Sequence, residues 1–126
     1  MNENKIKVVL VEPGKKAVIT EIGKSLESMQ KVVGGLIEQV MFPDDVALIC
    51  NEEGKYNGNK PNIAFVVDND IKDIIFGTFF LVFAPSDSEK FLGMPDDLAE
   101  KYEKLLNIPW AYLNWDNDTE LPVIKL

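Results

Sequence analysis

Ala47-Leu48-Ile49-Cys50-Asn51-Glu52-Glu53-Gly54-Lys55 runs from an apolar strand straight into a polar turn, and continues as Tyr56-Asn57-Gly58-Asn59-Lys60-Pro61-Asn62 before the next apolar run opens at Ile63. A strand ending in amides, carboxylates and glycines places polar groups at the end of a sheet, where binding residues are commonly held. Upstream, Ile6 to Val11 is β-branched and apolar and reads as a central strand. Glu12-Pro13-Gly14-Lys15 stops it, because Pro fixes φ and Gly permits a tight turn. Ala17 to Ile22 then returns as its hairpin partner. Ser25 caps a helix to about Val33, in which Leu26, Met29, Val32 and Val33 share one side, and Gly34-Gly35 supplies a left-handed C-cap. Leu36 to Phe42 resumes as a strand, ended by Pro43-Asp44-Asp45.

Downstream, Ile63 to Val67 reads as a strand and Asp68 to Asp73 as a polar connection. Ile74 to Ala84, interrupted only by Gly77 and Thr78, is the most hydrophobic run and has no polar face. It belongs in a sheet interior covered on both sides. Pro95-Asp96-Asp97 opens a second helix to about Leu106, with Leu98, Tyr102, Leu105 and Leu106 on one side and acids in the first turn. Trp110, Tyr112 and Trp115 follow, ahead of an acidic, Pro-containing tail. The order predicts a single α+β domain over residues 1–126, with a mostly antiparallel or mixed sheet and two helices, about Ser25-Val33 and Asp96-Leu106.

Composition narrows the chemistry. With 126 residues, 46% apolar and 27% charged, the chain can bury a core without staples. It contains no histidine, and all 13 basic residues are lysines. The chain alone therefore builds no Ser-His or Cys-His nucleophile and no His-metal site. It also lacks the guanidinium fork suited to phosphate and guanine. A net charge of −8 repels nucleic acid, so direct DNA or RNA binding is disfavoured. No apolar run is long enough to cross a bilayer and no basic, apolar leader opens the chain, which predicts a cytoplasmic protein without a membrane segment. The lone cysteine agrees with a reducing compartment.

Glu12-Pro13-Gly14, Leu26 with Met29-Gln30-Lys31-Val32-Val33-Gly34-Gly35-Leu36-Ile37-Glu38, Cys50-Asn51-Glu52-Glu53-Gly54-Lys55 and Asn62 resemble the family catalogued as domain of unknown function 3846. Asp73 to Phe80 is similar to its second block, and Leu98 to Leu106, ahead of Pro109, to its closing helix. The resemblance implies small proteins or modules of phages, plasmids and conjugative elements, chiefly of Gram-positive gut bacteria, some beside antirestriction-type genes. It implies no catalytic residue and no cofactor. Met29 and Phe76 depart from it, standing where a leucine and a small residue are expected, and the tail after Tyr112 is particular to this chain.

Two surfaces are candidates for binding. The first is the turn: Asn51, Glu52, Glu53, Gly54, Lys55, Asn57 and Asn62 could meet a small polar ligand or a partner loop. The competing reading is a hairpin turn in which Gly54 takes positive φ while Asn51 and Asn62 bond local backbone. The second is Trp110, Tyr112 and Trp115, which either cover a sheet edge or anchor an interface. Glu52, Glu53, Asp68, Asp70 and Asp73 lack the glycine and distant glutamate of a calcium loop, so no metal set is assigned. Cys50 follows three apolar residues and reads as core. The leading expectation is a non-enzymatic module that binds a protein partner. The alternative is a small-molecule or divalent-metal-dependent activity at the Asn51–Asn62 turn and nearby aspartates, and a third reading is acidic mimicry of DNA.

Overall fold

A computed structural model describes residues 4–56 and 58–126. The predicted α+β class is observed, divided between two sheets. Strands β1 (Lys5–Val11), β2 (Val18–Gly23), β3 (Ile37–Met41), β4 (Val46–Asn51) and β7 (Phe79–Phe83) form an antiparallel sheet in the order β2-β1-β7-β4-β3. The second sheet runs β6-β5-β9-β8, from β5 (Pro61–Val67), β6 (Asp70–Phe76), β8 (Ala111–Asn114) and β9 (Glu120–Lys125). It is mixed, because β9 lies parallel to β5 and antiparallel to β8. Helix α1 is Leu26–Val33 and α2 is Asp96–Asn107. Among the described residues, no helix is long and apolar enough to cross a membrane.

The five-stranded sheet owes its apolar runs to burial on both faces. Val9, Leu81 and Leu48 align across β1, β7 and β4 and point toward the second sheet. Their neighbours Val8, Phe80 and Ile49 point the other way, toward Met29 and Val33 of α1. Because side chains alternate between faces, a strand covered on both sides shows no polar period. Helix α1 begins where Ser25 Oγ accepts from the Ser28 N–H and ends where Gly34 takes φ 83°, as its sequence predicts.

Ile63, Phe65, Ile75 and Ile124 of the second sheet meet the first sheet and α2 in one core. Polar contacts help hold α2 there, among them a bond of 2.6 Å from Lys101 to Asp44. Tyr102 Oη donates to the Pro43 carbonyl at 3.0 Å, and the Asn107 amide pairs with both backbone groups of Ala17 at 2.8 and 3.0 Å. Lys7 bonds Asp96 at the start of the helix.

Two readings are corrected. Asp68 to Asp73 is not a loop: Asp68 and Asn69 sit at φ 54° and 68° and turn β5 directly into β6. Asp and Asn tolerate this left-handed geometry, which a two-residue hairpin requires. The run Ile74 to Ala84 is not one strand. It breaks at Gly77, φ 81°, so Ile74–Phe76 end the edge strand β6 while Phe79–Phe83 form the buried centre of the other sheet. The tail, for which the local pattern predicts no element, supplies β8 and β9.

Candidate functional site

The organising turn leaves β4 in one sheet and delivers the chain to β5 in the other. It is therefore a crossing between sheets, not a hairpin. Two interlocked turns build it, with the Gly54 N–H donating to the Asn51 carbonyl at 3.2 Å and the Tyr56 N–H to that of Glu53 at 2.9 Å. Asn51 is buried. Its Nδ2 donates to the Val33 carbonyl at 3.2 Å and its Oδ1 accepts from the Glu53 N–H at 2.7 Å, joining the end of α1 to the turn. Asn62 is buried too, and its Nδ2 donates to the carbonyls of Val11 at 3.1 Å and Gly77 at 2.8 Å. Both amides thus donate through Nδ2 to backbone carbonyls, which stitches the two sheets and α1 together.

Gly54 does not take the positive φ expected of it. A side chain is excluded there for a different reason: a Cβ would lie 2.8 Å from the Phe76 carbonyl oxygen. Lys55 pairs with Asp73 at 3.3 Å, while Glu52 and Glu53 are exposed, Glu52 at the edge of the cavity beneath the turn. Asn57 lies outside the described residues. Beneath the turn is a cavity of about 210 Å³, lined in part by Glu38, Cys50, Glu52, Lys55 and Asp73. Nothing in the local pattern around Asn51 signals Glu38 or Asp73, because hairpin pairing in one sheet and packing between sheets bring them there.

The electrostatics of this cavity disfavour nucleophilic chemistry. Burial, reinforced by the negative charges of Glu38 and Asp73, pushes the Cys50 thiol up to about 12, so it stays protonated at neutral pH. Its Sγ lies 4.0 Å from Glu38 Oε1. Among the described residues, no three Cys, Asp or Glu side chains converge closely enough to hold a metal ion.

The aromatic tail is arranged differently. Trp110, Tyr112 and Trp115 are 56%, 61% and 41% exposed, at and beside β8 on the rim of the second sheet. Among the described strands β8 pairs with β9 alone. Tyr112 stands opposite Pro122, which has no N–H to donate. The two therefore form a non-hydrogen-bonded pair, and the N–H and C=O of Tyr112 face the open edge. Lys125 Nζ lies 5.1 Å from the Trp110 ring centroid, and Trp115 meets Phe76 edge to face at 5.7 Å. A cleft of about 300 Å³ between β8, the end of α2 and the β1–β2 hairpin has both Tyr112 and Asn62 in its wall. The structure thus brings Asn62 toward the aromatics and leaves Glu52 and Glu53 elsewhere.

Residues 6–107 match the model of a family described as Domain of unknown function (DUF3846). The chain belongs to that family. No curated protein and no solved structure matches it. The DUF3846 match spans β1 through α2 and stops short of Trp110, so β8 and β9 lie beyond it. Yet β9 is central to the second sheet, with Leu121 and Ile124 fully buried. Phe76, within the match, receives Trp115 from beyond it.

Proposed function

We propose that this DUF3846 protein is a non-enzymatic binding module that acts in the cytoplasm through contacts with a protein partner. In the mobile-element setting that the family resemblance implies, a host defence protein is a suitable target class. One observation carries the reading: three large exposed aromatics gather at a sheet edge whose backbone groups are open. Exposed Trp and Tyr supply contact area at little entropic cost, and an open edge accepts a strand from another chain. The absence of histidine and arginine and the protonated Cys50 support binding over turnover.

The competing activity at the Asn51–Asn62 turn has less to work with. Its amides are occupied, and a cavity near 210 Å³ is smaller than the roughly 300–1,000 Å³ of most ligand pockets. The test is affinity capture from host lysate on the immobilised full chain, with captured proteins identified by mass spectrometry. Trp110→Ala with Tyr112→Ala should lose the partner, whereas Glu52→Gln with Glu53→Gln should keep it. Retention by the aromatic variant, or substrate turnover abolished by the glutamate variant, overturns the proposal.

A further inference from the structure

A larger cavity lies away from the turn and the aromatic edge. It is a groove of about 850 Å³ between the start of β1, the junction of β2 with α1, and the segment before α2. Its floor is apolar, formed by Ile6, Met29 and Phe91, and Leu26 and Leu92 stand exposed at its lip. The walls are fixed. Phe83 and Leu92 exchange backbone hydrogen bonds of 2.9 and 2.7 Å, the Met94 N–H donates to the Lys7 carbonyl at 2.8 Å, and Lys24 to that of Asn4 at 2.8 Å. Gly93 lets one wall close on the other, since a Cβ there would lie 3.2 Å from the Lys7 nitrogen.

The charge around this groove runs against that of the molecule. Lys5 and Lys24 flank one wall and Lys90 the other, against a single lining carboxylate, Glu89. None of these three lysines has an ion-pair partner among the described residues, a state they share with Lys16, Lys60, Lys72, Lys104 and Lys125, and they meet at this one groove. A chain of net charge −8 therefore keeps a locally cationic rim around this apolar recess. Unpaired lysines beside buried apolar surface fit an occupant that carries carboxylates and apolar side chains together. The groove is open along its lip, and small-ligand pockets usually enclose most of their ligand. A chain segment, laid along the groove with acids toward the lysines, fits that shape better than an enclosed small molecule.

We propose that the groove between β1, α1 and the 89–93 segment is a docking site for an acidic, amphipathic peptide segment of a partner protein. It is separate from the aromatic edge, shares no residue with it, and stands or falls independently of that reading.

The experiment is isothermal titration of the full chain with three synthetic peptides that share one Leu/Phe pattern and carry Glu, Gln or Lys between the apolar positions. The Glu peptide should bind at least about tenfold more tightly than the Gln peptide, and the Lys peptide not at all. Binding should weaken as ionic strength rises from about 0.01 M to about 1 M, where the screening length falls from about 30 Å to about 3 Å. Lys24→Glu with Lys90→Glu should remove the preference for acid, and Leu26→Asp should remove binding. All three side chains are exposed, so thermal unfolding should show these variants folded. Trp110→Ala with Tyr112→Ala should leave the titration unchanged. Equal binding of the three peptides, or Glu-peptide binding indifferent to the lysine changes, overturns the proposal. Binding of sodium oleate without the Glu peptide overturns it in favour of a small anionic amphiphile.

Discussion

Asn62→Ala separates a structural amide from a ligand-binding one. Asn62 is 3% exposed and its Nδ2 donates two hydrogen bonds, one to β1 in the first sheet and one to Gly77, where the chain passes from the second sheet to the first. Removing the donor leaves two carbonyls without a partner in the interior, at about 1–3 kcal/mol each. The loss should therefore be about 2–6 kcal/mol. For a chain of this size that lowers Tm by roughly 10–20 °C, read by differential scanning calorimetry and by urea unfolding. Asn62→Asp should be worse at neutral pH, because a carboxylate facing two carbonyl oxygens has no hydrogen to give. Protonation restores one donor. Burial raises that carboxyl's folded pKa above its unfolded value of about 4, so this variant should lose stability as pH rises through that window while the parent does not. If Asn62→Ala and Asn62→Asp both lie within about 0.5 kcal/mol of the parent, as an exposed substitution would, the stitching role is wrong. The amide would then be free for another purpose.

Other outcomes follow from the same geometry. Gly77→Ala should cost about 2 kcal/mol or more, since the site needs φ 81° and a Cβ would sit 3.1 Å from the Asn59 amide; urea unfolding measures it. Cys50 in the folded protein should resist alkylation at pH 8 and react freely in denaturant, as its thiol is pushed up to about 12; equal rates in the two states would refute its burial. Burial also pushes the Tyr102 hydroxyl up to about 12, helped by Asp44. Both groups bind their proton more tightly when folded, so stability should fall as pH rises from about 9 to 12. Tyr102→Phe should lessen that fall in an alkaline titration followed by circular dichroism. Trp110→Ala and Tyr112→Ala should each change stability by less than about 1 kcal/mol, because both side chains are mostly exposed.

Local sequence carried most of the first sheet. The β1–β2 hairpin, the Ser25 and Gly34 caps of α1, and the acidic start of α2 each depend on residues within one turn of one another, so short-range pattern suffices. The Asp68-Asn69 turn was missed because neither residue is glycine, although both adopt positive φ. Strand β9 was hidden by Pro122, which normally argues against an inner strand. It is tolerated because β9 pairs with β5 only from Val123 onward, leaving no partner there for the missing N–H. Of the candidate site, the sequence showed which residues were polar and which aromatic. It did not show that Asn51 and Asn62 turn inward, because their acceptors on Val33, Val11 and Gly77 belong to other elements.

Composition and local spacing alone settled the α+β class, both helices and the chemistry that a chain without imidazole or guanidinium lacks, and motif resemblance pointed to the family. Tertiary structure alone decided that the strands divide into two sheets, that the amides are consumed where those sheets meet, and that three lysines distant in sequence ring one apolar groove. The reason is range. Caps, turns and alternation act between neighbours along the chain, whereas sheet partition, amide satisfaction and local charge depend on which distant segments burial brings together.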